Sequence, residues 1–152
     1  QRYKKNINAE IPNHPQFEDF RHKDLKVSLN KAYEVLEKNY TSLYGHYLAM
    51  ATSFELGEKE KSKYHQSLIN ILLEAIWTSG DGRSISTAFF STSTSEIASF
   101  IELHGFDLIS HTLIRRDNKY YDQVRVKDLK TGQLFNWYFD ISAQKNVTIS
   151  IK

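Results

Sequence analysis

Residues 68–88 read LINILLEAIWTSGDGRSISTA, and inside this stretch the chain changes its period. Up to Trp77 the apolar residues recur at three- and four-residue intervals, from Tyr64 through Leu68, Ile71, Leu72, Ala75 and Ile76, as on one stripe of an amphipathic helix. Ser79-Gly80-Asp81-Gly82 then ends that period, because two glycines around an aspartate favour a turn and accept positive φ. The chain before the turn is helical in pattern and most of the chain after it alternates. Helices first and adjacent strands later is the order of an α+β fold, here a helical hairpin region beside a C-terminal antiparallel sheet with one short helix.

Working back from the turn, the third helix opens near Glu58 and Glu60, whose charges suit a helix N-terminus. Gly57 ends the helix before it, which Thr41 or Ser42 can cap and which carries Leu43, Tyr47, Leu48, Ala51, Phe54 and Leu56. The two should form an antiparallel hairpin. Over 24–38, Leu25, Leu29, Ala32, Val35 and Leu36 define a further amphipathic helix. Residues 1–15 read as an arm closed by Pro12 and Pro15, with ordered helices beginning after it.

Working forward, 87–92 has strand-like content, and 95–104 is a short helix with Ser95 as its expected cap and Gly105 as its stop. Residues 108–115, 120–127 and 134–141 alternate as strands, separated by hairpin turns at Asp117-Asn118 and 128–132. Val147, Ile149 and Ile151 also alternate and suggest a further strand. One domain is expected over 1–152: the arm, a helical part over 16–78 and a sheet part over 79–152.

The 152 residues are 40% hydrophobic and 25% charged, which suits a globular chain. Lys and Arg number 20 against 18 Asp and Glu, so no basic stripe is available to neutralise phosphates, and nucleic acid is not an expected partner. No apolar run approaches the ~20 residues of a membrane-spanning helix. The absence of cysteine removes disulfides, thiolate metal sites and a Cys nucleophile. Phosphate-loop, zinc-helix, nucleophile-elbow and EF-hand patterns are also missing, so no cofactor and no metal are expected.

Some polar residues still invite a role. Of six histidines, His46 and His65 fall on different expected helices and His104 and His111 flank a glycine turn, so spacing pairs none of them. Tyr64-His65 stands mid-hairpin and is aimed, on this reading, at the junction of helices and sheet. Asp122 lies inside a strand, where an aspartate needs a partner; backbone amides or the 79–84 turn are the expected donors. His65, Asp81, Glu96 and Asp122 are the residues a small hydrolase would use for acid and base work. The hydroxyl run 91–95 has no evident base and reads as helix capping.

Leu56-Gly57-Glu58-Lys59-Glu60-Lys61 with Tyr64-His65, then Ser79-Gly80-Asp81-Gly82-Arg83-Ser84 with Thr87-Ala88, and later Tyr121-Asp122 and Tyr138-Phe139, resemble the bacterial DUF4919 family over about 44–142. Phe90-Ser91-Thr92-Ser93, His111 and Asp140 depart from that pattern. The resemblance implies exported proteins, periplasmic or secreted, with a tetratricopeptide-like helical hairpin and no established activity. It also fits a signal peptide removed before Gln1. No second 34-residue period is present, so a long repeat array is not expected.

These readings converge on a non-enzymatic module of the bacterial envelope that binds another protein, with toxin neutralisation as one form and the small hydrolase as the alternative. The binding or structural set is Tyr64, His65, Ser79, Gly80, Asp81, Gly82, Arg83, Tyr121, Asp122 and Tyr138. The sharpest local expectation is that Gly80 or Gly82 has positive φ and that Asp81 bonds nearby amides, locking the end of the third helix onto the sheet.

Overall fold

The computed structural model describes residues 24–144; the arm and the alternation at 147–151 lie outside them. Among the described residues the fold is α+β, with three helices ahead of a sheet that contains one further helix in its lead-in. The chain divides into two compact units, residues up to 74 with 102–104, and residues 75–101 with those from 105 onward. The division falls inside the third helix rather than at the glycine turn that follows it.

In the first unit, α1 (Leu25–Lys38) starts at Asp24, whose side chain accepts from the Lys26 amide at 2.9 Å. Its buried face is Ser28, Leu29, Ala32 and Leu36. Helix α2 (Leu43–Glu55) starts at Ser42, whose hydroxyl accepts from the Gly45 amide at 3.1 Å. Almost every residue of α2 from Leu43 to Ser53 is buried, so it is the central helix of this unit. Gly45 lets α1 approach, since a Cβ there would come within 2.9 Å of the Leu36 side chain. Gly57, at φ +76°, closes α2: its amide donates to Phe54 and the Glu58 amide donates to Ser53, satisfying the last carbonyls.

Helix α3 (Lys59–Ser79) returns antiparallel to α2, with the Ser62 hydroxyl donating to the Met50 carbonyl at 2.9 Å. Its buried face is not the stripe expected from sequence. Ser62, His65, Ile69, Leu73, Ile76 and Trp77 are buried, whereas Tyr64 and Ile71 are 52% and 63% exposed. A stripe that begins with a serine and a histidine is invisible to hydrophobic periodicity, so the apolar pattern takes the wrong phase in the first turns.

The second unit begins with the last turn of α3. A short 3-10 turn (Ile85–Thr87) leads into β1 (Phe89–Phe90), α4 (Thr94–Leu103), β2 (Phe106–Arg116), β3 (Lys119–Asp128) and β4 (Leu134–Asp140). The sheet order is β1-β4-β3-β2; the three long strands are antiparallel as expected, and the two-residue β1 adds a parallel edge beside β4. Asp117 and Asn118 both have positive φ, the geometry of a two-residue hairpin whose twist matches its strands. A bulge between Leu108 and Ser110 shifts the β2 register. Trp77, Phe89, Phe100, Trp137 and Phe139 form the core, with neighbouring ring centroids 5.3–5.9 Å apart.

Helix α4 is capped by Ser93, not by Ser95: the Ser93 hydroxyl accepts from the Glu96 amide at 3.1 Å. Glu96 reaches back to the Thr92 amide at 2.9 Å and the Ser91 hydroxyl at 2.8 Å. Among several hydroxyls, the one three residues before a glutamate is selected because both ends of the exchange are then satisfied.

Candidate functional site

A groove of about 460 Å³ opens in the first unit between α1 and α3. Tyr33, Leu36 and Glu37 line it from α1, Tyr40 from the α1–α2 turn, and Lys61, Tyr64 and His65 from α3. Beneath it lie His46 and His65, 1% and 3% exposed, with their Nδ1 atoms 2.9 Å apart. Sequence spacing left these histidines unpaired; the hairpin brings them together, because both stand about equally far from the turn at Leu56-Gly57 and antiparallel helices align such positions.

The tautomers follow from one carbonyl. Tyr40 O lies 2.7 Å from His46 Nε2 and can only accept, so that nitrogen carries a proton. Neutral His46 then accepts at Nδ1, His65 donates from its own Nδ1, and His65 Nε2 is left as an acceptor. The Tyr33 hydroxyl stands 3.5 Å from it, a long contact. Burial holds the His46 imidazole below its usual pKa, against the opposing pull of the Tyr40 carbonyl. Burial, then the neighbouring His46 and Lys61, lowers His65 to about 4. Both rings are therefore neutral at pH 7.

Above the pair, Tyr40 and Tyr64 meet hydroxyl to hydroxyl at 2.5 Å, and this bond raises the Tyr40 pKa. Their rings stand edge-on to His46 and His65, at 5.4 and 5.2 Å between centroids. Lys61 is ion-paired with Glu58 one turn earlier, which favours its charged form. The groove is thus a rim of tyrosines over a neutral imidazole floor.

The other expected site residues lie in the second unit, apart from Tyr64 and His65. Gly82 has φ +68°, and a Cβ on it would collide with the Phe89 ring. Asp81 Oδ1 accepts from the Arg83 amide at 2.9 Å and the Thr87 hydroxyl at 2.6 Å, while the Asp81 and Gly82 amides both donate to Thr87 O. Ser79 Oγ accepts from the Phe90 amide at 2.9 Å, and Gly82 O from the Tyr138 amide at 2.8 Å. The turn therefore ties the last turn of α3 to β1 and β4, and Asp81 and Glu96 are engaged in local structure. Tyr138 OH also accepts from Gln123 Nε2 at 3.2 Å, and Tyr121 pairs with Asp140 across the β3–β4 ladder.

Asp122 is 6% exposed, and its partner is neither an amide nor the turn. Its Oδ2 lies 3.6 Å from Nδ1 of His111, its diagonal neighbour on β2, and its buried Oδ1 has no partner. Burial raises its pKa and the His111 contact opposes that rise. Among the described residues no three histidine or carboxylate side chains gather as metal ligands, and no helix is long and apolar enough to cross a membrane.

The sequence profile of a domain of unknown function, DUF4919, matches residues 1–149. The chain belongs to the DUF4919 family. No curated protein and no solved structure matches it. For this DUF4919 chain the site geometry therefore carries the functional argument, and the tyrosine groove joins a cavity to buried, mutually bonded ring nitrogens.

Proposed function

We propose that the protein is a non-enzymatic interaction module of the bacterial envelope, binding another protein through the groove between α1 and α3. The observation that carries this reading is the groove itself, with exposed Tyr40 and Tyr64 at the rim and Leu36 in its wall. Tyrosines that combine a flat apolar body with a polar tip are suited to contact surfaces. The polar groups below are bonded to one another, and a histidine with a pKa of about 4 is a poor general base at neutral pH. Toxin neutralisation is one form this binding takes; the envelope setting rests on the resemblance to exported bacterial proteins.

The hydrolase alternative has one favourable observation, the raised pKa of buried Asp122 beside His111. It has against it the local commitments of Asp81 and Glu96. The test is affinity capture from the native host with the wild-type chain, a Tyr64→Arg variant and an Asp122→Asn variant. A stoichiometric protein kept by Asp122→Asn and lost by Tyr64→Arg is the expected result. Capture indifferent to Tyr64→Arg overturns the groove assignment.

A further inference from the structure

We propose that β2 is the seam of a two-fold dimer, in which a second copy of this chain pairs antiparallel along it and joins the two sheets into one. β2 ends the sheet order, and among the described residues no strand lies on its far side. It is eleven residues long and contains no proline, and its residues from Ile109 to Leu113 are exposed in succession. Its outward amides and carbonyls are therefore open to a further strand.

The occupant follows from the order of side chains along the strand. The bulge leaves Ile109 without a counterpart in the β3 register, and this extra residue changes which face the residues before it share with those after it. Asp107 pairs with Lys127 and Arg116 with Lys119, and these β3 positions are an even number of residues apart, so Asp107 and Arg116 lie on one face. With the two-fold axis at Thr112, that residue meets its own copy, His111 meets Leu113 of the second copy, and Ser110 meets Ile114. Stepping over Ile109 then sets Asp107 opposite Arg116 of the second copy, and symmetry repeats the pair at the other end of the seam. Opposite charges and paired threonines across a ladder both stabilise it. An axis at His111 would set Asp107 against Ile114, and an axis at Leu113 would carry it past the end of the strand.

A strand with its acid at one end and its arginine at the other is complementary to itself when reversed, the condition for a two-fold contact. A strand lacking an acid at the matching place would leave Arg116 facing no opposite charge, which discriminates against other partners. The pairing uses β2 of both copies, and the other edge of the sheet, β1, is only two residues long, so the contact closes at two copies.

The test uses the full chain. Sedimentation equilibrium is expected to show a monomer–dimer equilibrium in the micromolar range, with β2 amides exchanging more slowly as concentration rises. Thr112→Lys sets two ammonium groups against each other at the axis and should weaken the dimer at least about fivefold. Asp107→Arg should weaken it too, and Asp107→Arg combined with Arg116→Asp should restore it, a reversal that a merely damaged fold would not show. Thr112 and Arg116 are exposed, so substitutions there are expected to fold, which circular dichroism verifies. The chain has no cysteine, so single cysteines report the register. Thr112→Cys should oxidise to a covalent dimer, because directly opposed residues have Cα atoms about 4.5–5.5 Å apart, within disulfide reach. Leu113→Cys should cross-link far more slowly, since its two copies are out of step by two residues.

A chain that stays monomeric at about 1 mM overturns the inference, as does a dimer indifferent to Thr112→Lys, or cross-linking at Leu113→Cys as fast as at Thr112→Cys. A monomer that captures another protein through β2, with capture lost in Thr112→Lys, overturns it as well. The groove belongs to the other unit, so partner capture that depends on Tyr64 should survive Thr112→Lys, and the two readings stand or fall separately.

Discussion

In the first unit Ser28, His46, Thr52, Ser53, Ser62 and His65 are buried among Leu29, Ala32, Tyr47 and Ile69, whereas the second unit closes over the rings of Trp77, Phe89, Phe100, Phe106, Trp137 and Phe139. The aromatic core is held by area and shape, and nothing in it titrates. The helical core holds two imidazoles whose placement depends on a chain of hydrogen bonds ending at one carbonyl. A buried polar pair of that kind fixes ring orientation and tautomer at the cost of sensitivity to protonation. The difference teaches that the same chain builds one core from rings that do not titrate and the other around a titratable pair, and the candidate groove lies on the second kind.

The largest expected effect tests the scaffold. Phe100 is fully buried in α4 and touches Trp77, Phe89, Trp137 and Phe139. Phe100→Ala should destabilise the second unit by about 3–5 kcal/mol, through lost transfer energy and the cavity left behind. Hydrogen exchange resolves the units, and protection should fall first in β3 and β4. A loss below about 1 kcal/mol would mean that the aromatic cluster is not the support described here.

The next effect belongs to the other core. With a folded pKa of about 4 against the ordinary value of 6.5, His65 stays neutral in the folded state while the unfolded chain takes up a proton. Stability is therefore full above pH 6.5 and is lost as the pH falls towards 4, by up to about 3 kcal/mol at 1.36 kcal/mol for each pKa unit. His46, also lowered, acts with the same sign. Denaturant midpoints of α1 and α2 followed from pH 7 to pH 4 should slope downward, and a flat profile would show that the pair is solvated.

The glycine turn comes third. Gly82→Ala places a Cβ against the Phe89 ring at φ +68°, and should cost about 2 kcal/mol from backbone strain and overpacking together. Gly57→Ala has the same backbone penalty at φ +76° but an open space for its Cβ, so it should cost only about 1 kcal/mol. Thermal unfolding of the two variants separates strain from collision; equal losses would remove the contact with Phe89 from the account.

Much of this architecture was legible because its signals are local. Ser42 and Gly57 mark helix ends by chemistry that a few residues contain, and Asp117-Asn118 marks a hairpin by the φ values it accepts. The Ser79 to Ser84 turn was legible for the same reason. The phase of α3 was not, because its buried face begins at Ser62 and His65, and their burial depends on partners across the hairpin, Met50 and His46. Strand β1 fell within the strand-like 87–92, but its two-residue extent and its parallel pairing did not show, because two residues carry no period and the Ser79 hydroxyl and β4 hold them in place. The histidine pair had one available signal, the near-equal spacing of His46 and His65 about Leu56-Gly57. It becomes meaningful once that turn is taken as a tight antiparallel reversal.

The smallest effect sharpens the contrast by its sign. Burial raises the folded pKa of Asp122 above the 3.8 of an ordinary aspartate, so between these values the folded state binds more protons than the unfolded one. Its contribution is favourable at low pH and is lost as the pH rises through the folded pKa, opposite to the histidine pair. Asp122 Oδ1 has no donor, and His111, which faces Oδ2 at 3.6 Å, is itself 65% exposed in its side chain, so the charge is weakly compensated. Asp122→Asn should therefore leave the second unit unchanged or about 0.5–1 kcal/mol more stable at pH 7. That gain should fade as the pH drops through the raised folded pKa, where the aspartate too takes up its proton. Measured beside the acid response of α1 and α2, the difference between wild type and Asp122→Asn isolates a contribution opposite in sign to that of the histidine pair. A loss of more than about 1 kcal/mol at pH 7 would mean that the Asp122 carboxylate is needed in its charged form, and would return it to the acid-base role of the hydrolase reading.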